Sequence, residues 1–316
     1  MQQDRINKLY YEMLRIRLVE EKIVELYPEQ EMRCPVHLSI GQEAVAVGVC
    51  SALKDEDYAL STHRSHAHYL AKGGNLKAMI AELYGKQAGC CKGKGGSMHL
   101  FDRSVNCCAV PIVGSTIPIA VGAAFASLIA NKDFISVVFF GDAAVEEGVF
   151  YESMNFASLK KLPIIFVCEN NSFSVYSPLK VRQPANRDNS IIASGHGMKG
   201  YHGDGNNVIE VYDLAKAAID KARRGKGPTF LEFKTYRWRE HCGPNYDNHL
   251  GYRAEKEFAA WKLRDPIKQL EKHGMEGSEI ERMTKKIVKE IDEAFLFAKK
   301  DDFPEESMLY KHVYAS

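Results

Sequence analysis

Runs of apolar residues separated by polar turns predict alternating strands and helices over most of the chain. Residues 135–140 form a mainly β-branched and aromatic run, and residues 164–168 form a second one. Runs of this length, bounded by turn residues, are typical of buried strands. The residues between them have the spacing of an amphipathic helix. Because two strands joined by a helical crossover are parallel, the pattern predicts an α/β fold with a mainly parallel sheet flanked by helices.

The same analysis assigns elements to the rest of the chain. Ser278 and Glu281 have the spacing of a capping box at the start of the last helix. No repeat or second boundary is visible, so we expect one α/β domain over residues 1–316, with an N-terminal helix and a C-terminal helical tail. The predicted helices are 4–27, one beginning at Gly41, 75–83, a small-residue helix after Gly114, 213–224, 254–263, 266–273 and 278–300. The further predicted strands are 58–61, 208–211 and 229–235, and the long loops are 172–207, with one short helix near 190–198, and 236–253.

Polar residues follow each of the two apolar runs. Gly141 and Asp142 end the first, and Glu169, Asn170 and Asn171 end the second. Since parallel strands end at one edge of a sheet, the Asp142 carboxylate and the Asn171 amide are expected to be neighbours. With a main-chain carbonyl they make a set of hard oxygen ligands that suits Mg²⁺, together with phosphate oxygens and water. Either dipeptide alone is more often a simple turn, but the two in this order predict a metal site.

A second candidate site follows strand 58–61, where residues 62–68 read THRSHAH. Two interpretations remain open for this cluster of histidines and one arginine. It is either a polar loop with solvated imidazoles or an anion site, because a guanidinium group binds phosphate through two parallel hydrogen bonds. His241, in the loop after strand 229–235, is a third candidate, although a lone loop histidine is more often a surface residue.

Composition narrows the class of protein. The chain has 316 residues, of which 45% are hydrophobic and 26% charged, as in ordinary soluble proteins. A net charge of +1 gives no indication of nucleic-acid or anionic-membrane binding. The charged N-terminus is not a signal peptide, and the eight cysteines lack zinc-site spacing, so we expect a cytoplasmic protein with free thiols. Residues 104–131 are uncharged, but their small side chains favour a closely packed helix over a membrane span.

Several motifs together resemble one family. They are HLSIGQEA (37–44), HRSHA (63–67), KGKGGSMHL (92–100), GDAAVEEG (141–148), CENN (168–171) and TYRWREH (235–241). These motifs resemble the alpha subunit of the thiamine-diphosphate-dependent decarboxylating component of 2-oxoacid dehydrogenase complexes, of the pyruvate or acetoin type. The likeness extends over almost the whole chain and implies the thiamine-diphosphate-binding fold.

The resemblance also implies roles for individual residues. Mg²⁺ would be bound by Asp142, Asn171 and the carbonyl of Phe173. His66 and His241 would act in catalysis, by handling protons or positioning the intermediate. The residues implied to bind the coenzyme are His63, Arg64, Val113, Gly114, Gly141, Asp142, Ala143, Ala144, Asn171, Phe173 and His241.

This chain departs from the family pattern at several positions. The family's metal motif begins Gly-Asp-Gly, and Ala143 stands in place of its second glycine. His63 stands where relatives usually have tyrosine, which suggests a pH dependence that tyrosine would lack. Residues 32–35, near the substrate entrance by analogy, also differ, which leaves the usual substrate open. Cys242 occupies the place of a regulatory serine, so that phosphorylation is not expected here.

The resemblance further implies a divided active site. In this superfamily a glutamate activates the coenzyme, and we find no candidate for it in this sequence. We therefore expect a beta subunit to supply it, in an assembly of two alpha and two beta chains, with a lipoyl acyltransferase as a further candidate partner and a 2-oxo acid as substrate. Two alternatives are a carboligase or transketolase-like enzyme that transfers a two-carbon unit, and a non-catalytic subunit that has kept the fold.

Overall fold

The computed structural model describes residues 2–311. The strands are β1 (Tyr58–Ser61), β2 (Phe101–Asp102), β3 (Cys107–Ala109), β4 (Ser136–Gly141), β5 (Ile164–Asn170), β6 (Phe173–Ser174), β7 (Ser177–Pro178), β8 (Lys199–Asp204) and β9 (Thr229–Lys234). The helices are α1 (Gln2–Leu26), α2 (Glu43–Cys50), α3 (His66–Ala71), α4 (Leu76–Leu83), α5 (Thr116–Ile129), α6 (Gly148–Lys160), α7 (Leu179–Arg182), α8 (Asn189–Gly195), α9 (Val208–Arg223), α10 (Glu255–Lys262), α11 (Pro266–Glu271) and α12 (Gly277–Lys300).

The main sheet has the strand order β2-β3-β1-β4-β5-β9-β8. The short pair β2–β3 is antiparallel, and every other neighbouring pair in this sheet is parallel. Strands β6 and β7 form a separate small hairpin beyond the end of β5. This arrangement confirms the predicted α/β class with a mainly parallel sheet.

The central strand β4 shows how the sequence pattern builds the core. Val138 and Phe140 face the cluster formed with α5 and α6, whereas Val137 and Phe139 face the cluster formed with α2 and α9. Alternate side chains of a strand point to opposite faces of the sheet, so a strand covered on both faces is mostly apolar. Helices on both faces therefore explain why, apart from the buried Ser136 at its start, this strand is apolar up to its end.

Gly41 allows the loop before α2 to pass close to the end of β9. Its φ is +98°, and an added Cβ would lie 2.6 Å from the Trp238 side chain and from the carbonyl oxygen of Tyr236. Only glycine adopts this backbone at no steric cost while permitting so close an approach. The helix itself begins at Glu43, slightly later than the prediction of a helix from Gly41.

The C-terminal helix closes the fold against its N-terminal part. Helix α12 packs on α1 and α4, and the residues after it return to the glycine-rich loop 85–98. The Asp301 carboxylate accepts the Ala88 N–H at 2.7 Å, and the Asp302 carbonyl accepts the Gln87 N–H at 2.8 Å. Lys86 Nζ donates to the Asp301 carbonyl at 2.9 Å. Residues 301–302 thus fix the start of a loop that runs to the ligand cavity.

The predicted strand at 208–211 is wrong, because these residues begin α9. The Asn207 side chain accepts the N–H groups of Ile209 and Glu210, which caps the helix and outweighs the strand preference of the apolar residues that follow. The true strand is β8, within the predicted loop 172–207. It pairs only with β9, and as an edge strand with mostly exposed or half-exposed residues it shows no apolar pattern.

Two further predictions concern the starts of helices. The predicted capping box is also wrong: α12 begins at Gly277, Glu276 is its N-cap, and no side chain caps it. The small-residue helix predicted after Gly114 is α5, which starts at Thr116. Among the described residues, no helix is both long and apolar enough to cross a membrane.

Candidate active site

The carboxyl ends of β4 and β5 bring the predicted metal ligands together. Gly141 pairs with Glu169 in the register of these strands, so Asp142 and Asn171 follow at the same edge of the sheet. Both line one cavity of about 260 Å³. The cavity is lined by His37, Thr62, His63, Met98, Pro111, Val113, Gly114, Gly141, Asp142, Ala143, Ala144, Asn171, Phe173, Ser174, Val175 and His241.

The carboxylate of Asp142 is buried and already has a cationic partner. Arg182, at the end of α7, donates to Asp142 Oδ2 and, at 2.5 Å, to Glu146 Oε1. Gln183 Nε2 donates to the Asp142 carbonyl at 3.0 Å, so the loop is fixed to the aspartate at two points. Burial raises the pKa of Asp142, and the guanidinium of Arg182 partly opposes that rise.

The side chain of Asn171 is held in one orientation. Its Nδ2 donates to Gln42 Oε1 at 3.1 Å, and its Oδ1 accepts the Phe173 N–H at 3.1 Å. Ser172, between them, has a φ of +69°, and the chain turns sharply there. The turn brings Phe173 back to the cavity wall beside Asn171, as a metal ligand set from these residues requires.

Three small residues lie at the sheet edge, and one of them borders open space. A Cβ added to Gly141 would meet no atom within 4 Å, whereas Gly114, with a φ of +82°, packs against Glu147. Ala143 has a φ of −77° and a ψ of −26°, a right-handed helical backbone that any residue adopts. The alanine in place of the motif's glycine therefore imposes no backbone strain.

Three imidazoles converge on the other side of the cavity. The ring centroids of His37, His63 and His241 lie 4.8 to 5.3 Å apart. Burial lowers the pKa of His37 to about 2 and the pKa values of His63 and His241 to about 3, and the positive charge of Arg64 adds to each effect. All three rings are neutral at pH 7, so any pH dependence that comes from His63 in place of tyrosine would lie well below neutrality.

Arg64 and His66 lie behind the cavity wall. Arg64 donates to the carbonyls of Leu38 and His241, at 2.7 and 3.1 Å, and burial lowers the pKa of its guanidinium to about 9. His66 is fully buried, with Nδ1 3.1 Å from Glu20 Oε1 and Nε2 2.7 Å from the Ser97 hydroxyl. Of the predicted site residues, these two are absent from the cavity lining.

The sequence-based prediction of the site missed several residues. His37 begins the motif HLSIGQEA, which assigns it no role, and Arg182 lies in the predicted loop 172–207. Glu146, the second partner of Arg182, lies within the motif that follows β4. The histidine-rich and GDAAVEEG motifs were the available signals, but neither indicates which side chains meet.

The fold and this site define a class. A hard-oxygen pair at the end of two central parallel strands, facing neutral imidazoles across a cavity, is typical of an enzyme that binds a metal-bridged phosphate ligand. The family model "Dehydrogenase E1 component" matches residues 11–307, and the chain belongs to this family.

Individual relatives are similar over nearly the whole chain. Pyruvate dehydrogenase E1 component subunit alpha-3, chloroplastic, of Arabidopsis thaliana is 40% identical, over 98% of this chain and 74% of the relative. The alpha subunit of acetoin:2,6-dichlorophenolindophenol oxidoreductase of Bacillus subtilis is 36% identical, over 98% and 93%. The pyruvate dehydrogenase E1 alpha subunit of Rickettsia bellii is 37% identical, over 97% and 95%. The resemblance drawn from the motifs is thereby confirmed, and it favours the dehydrogenase interpretation over the carboligase alternative.

Proposed function

We propose that this chain is the alpha subunit of a heteromeric thiamine-diphosphate-dependent 2-oxoacid dehydrogenase. Its substrate would be a small 2-oxo acid or an acyloin, with transfer of the acyl group to lipoamide. The main support for the proposal is the cavity at the sheet edge, which is lined by Asp142 and Asn171 together with His63 and His241. The named substrates of the relatives, pyruvate and acetoin, are the basis for the substrate class.

The residues present fit a magnesium-bridged diphosphate. The buried Asp142 carboxylate is neutralised by a cation from the chain itself, a place that Mg²⁺ can take. Asp142, Asn171 and the Phe173 carbonyl would hold the metal, which prefers such oxygen ligands. The open space beside Gly141 leaves room for the phosphate groups. The further residues that would contact the coenzyme are His63, Val113, Gly114, Ala143, Ala144 and His241. Arg64, behind the cavity wall, would have to release the carbonyls of Leu38 and His241 to contact it as well.

Bound thiamine diphosphate supplies a carbanion nucleophile and an electron sink for the carbon that loses CO₂. This chain contributes binding, orientation and proton positions. Arg64 Nη2 lies 3.4 Å from His241 Nδ1 and can only donate, so the proton of this neutral ring is on Nε2. A neutral imidazole can donate a hydrogen bond to an oxygen without adding charge to the site.

We propose a positioning role for His66. Its ring forms a hydrogen bond with the Ser97 hydroxyl, and this hydroxyl oxygen also accepts the main-chain N–H of His37 at 3.4 Å. Because His66 is completely buried and lies outside the cavity lining, it would act on the site through Ser97 and His37. Its other ring nitrogen is held by Glu20, which also accepts the Ser39 N–H.

We propose that a beta chain completes the site, in an assembly of two alpha and two beta chains. No glutamate lines the cavity within residues 2–311, which supports the proposal that another chain supplies the group that activates the coenzyme. Ile112, Val113, Ile119 and Ile129, in and before α5, expose 49–69% of their surface. An exposed apolar surface beside the cavity is what a subunit interface requires.

Calorimetry of the isolated chain tests the metal site. We expect Asp142→Ala to weaken binding of Mg²⁺ and thiamine diphosphate by more than roughly tenfold, the loss typical of even an outer-shell residue. The exposed Asp213→Ala serves as the matched control, and circular dichroism verifies that both variants fold. Unchanged coenzyme affinity in Asp142→Ala would remove the basis of the proposal.

Reconstitution with a beta chain tests the reaction. Activity with lipoamide as acceptor is expected only when both chains are present. Robust decarboxylation by this chain alone would contradict the divided site, whereas transfer to an aldehyde acceptor in preference to lipoamide would favour the carboligase alternative.

A further inference from the structure

The three histidines of the cavity form a second, chemically different set of ligands. One ligand atom from each of His37, His63 and His241 lies within 4.8 Å of the other two. Their rings face one another at 71°, 84° and 56°, so they converge and do not stack in parallel. We call these residues the histidine cluster.

A buried ring nitrogen of His37, unpaired within residues 2–311, indicates independently that the cluster binds a ligand. Its side chain is 6% exposed, and Nδ1 has no hydrogen-bond partner among the described residues. Buried polar atoms in native proteins are nearly always paired, and an orphaned one requires an explanation. A ring nitrogen with no partner inside a cluster of imidazoles is explained if the cluster binds a ligand.

The electrostatic state of the cluster suits a metal ion of a particular class. The unprotonated nitrogen of a neutral imidazole can bind a metal without loss of a proton. In His241 that nitrogen is Nδ1, so Arg64 would have to give up its contact with it when a metal binds. Imidazole is a preferred ligand of Zn²⁺, Cu²⁺ and Ni²⁺, whereas Mg²⁺ prefers oxygen. The cluster and the Asp142–Asn171 pair therefore select different cations within one cavity.

The geometry needs only local adjustment. With Zn–N bonds of 2.0–2.1 Å, ligand nitrogens in a tetrahedral site lie about 3.3 Å apart. The present separations of up to 4.8 Å would have to close by about 1.5 Å. None of the three residues lies in a helix or strand, and His63 and His241 are partly exposed, so their rings can move without breaking an element.

We propose that His37, His63 and His241 bind a borderline divalent cation such as Zn²⁺, with the fourth position open to the cavity. Arg64 and Arg237 place positive charge near the cluster, which disfavours a bare cation and favours an anion, such as hydroxide or phosphate, as the fourth ligand. Because His63 and His241 are also proposed to contact the diphosphate, zinc and the coenzyme would compete. That competition rests on the proposed function, but the metal site itself does not.

A second group of potential metal ligands, distinct from the histidine cluster, lies elsewhere in the chain, and an experiment has to distinguish the two. Glu82 lies near Cys90 and Cys91, but its two carboxylate oxygens accept four main-chain N–H groups, at 2.7 to 3.1 Å. This carboxylate anchors the glycine-rich loop and has little remaining capacity for a metal. The two thiols still bind zinc readily in principle, so the test needs a variant that lacks them.

Titration of the metal-free, coenzyme-free full chain with Co²⁺ distinguishes the sites. Tetrahedral Co²⁺ absorbs visible light far more strongly than octahedral Co²⁺, so a nitrogen site differs from the oxygen site. We expect one equivalent of Co²⁺ to give an intense visible band that Zn²⁺ removes. The band should be lost in His37→Ala and in His63→Tyr, which keeps a ring at that position, and should persist in Asp142→Ala, in Cys90→Ser/Cys91→Ser and in the exposed control His249→Ala.

The outcomes separate this inference from the proposed function. No intense band in the wild type, or a band that survives His37→Ala and His63→Tyr, would overturn the metal site. Loss of the band in the double cysteine variant would assign the metal to the thiols and overturn it as well. If Zn²⁺ binds as expected and weakens thiamine-diphosphate binding at least tenfold, the shared cavity is supported. If Zn²⁺ binds but the chain never binds the coenzyme, the proposed function fails while the metal site stands.

Discussion

The ion pair between Arg182 and Asp142 makes a quantitative prediction about the coenzyme-free chain. The two side chains are 10% and 2% exposed, so replacing Arg182 by alanine leaves a buried carboxylate without its cation. Breaking a buried pair in this way costs about 3–5 kcal/mol. Since Arg182 lies at the cavity edge, where water can follow, we expect a value near the lower limit, about 3 kcal/mol.

Magnesium should reverse this loss. In the wild type Mg²⁺ has to displace the guanidinium from Asp142, whereas in Arg182→Ala the carboxylate has no competing cation. A gain of 1.4 kcal/mol corresponds to tenfold tighter binding, so even half of the pair energy would raise the affinity for Mg²⁺ with thiamine diphosphate about tenfold. Calorimetry measures the affinity, and urea unfolding with and without Mg²⁺ and the coenzyme measures the stability.

Lys180→Ala is the matched control, because it removes an exposed positive charge from the same short helix. The double variant Asp142→Asn/Arg182→Ala should be more stable than the sum of the two single losses predicts, since neither buried charge remains. If Arg182→Ala instead weakens coenzyme binding tenfold while Lys180→Ala has no effect, Arg182 holds the diphosphate, and the reasoning from charge replacement is refuted.

Three further predictions follow from the fold and the site. The pKa values of the histidine cluster lie at about 2 to 3 in the folded chain and near 6.5 when unfolded, so the unfolded state binds more protons between these values. The free energy of unfolding should therefore fall as the pH drops from 6.5 toward 3. In a variant with these rings replaced by phenylalanine, the melting temperature should depend less on pH in that window. Gly41→Ala should lower the free energy of unfolding by more than about 2 kcal/mol through its positive φ and the contact with Trp238, whereas Gly277→Ala, which has open space, should not. Ile119→Asp should abolish co-purification of the beta chain without changing the melting temperature of the isolated alpha chain. Leu263→Asp, on a still more exposed apolar residue elsewhere, should leave the complex intact, and loss of the complex in both variants would argue against α5 as the interface.

The sequence predicted the elements whose pattern comes from burial on both faces. Strands β4 and β5 were found because each is an apolar run that ends in a turn, and their parallel relation followed from the helix between them. Strand β8 was missed because an edge strand need not be apolar. The error at Val208 arose because the capping side chain of Asn207 outweighs the strand preference of the residues after it.

The candidate site divides in the same way. Asp142 and Asn171 could be placed together because strand order alone determines their proximity. The convergence of His37 on His63 and His241 depends on three loops whose paths no local pattern specifies, and the contact of Arg182 with Asp142 depends on a fourth. Residues on regular elements were therefore predictable, whereas loop residues required the tertiary structure.

The hydrogen bonds from residues 301–302 to residues 86–88 have a consequence for biosynthesis. The glycine-rich loop that carries Met98 to the cavity is fixed by residues that the ribosome adds more than two hundred positions later. Although N-terminal parts of a chain usually fold first during translation, the start of this loop gains these three hydrogen bonds only after Asp302 has been synthesised, whereas Glu82 can anchor the rest of the loop earlier. A nascent chain stalled before that point should therefore hold the vitamin-derived coenzyme less tightly than the full chain.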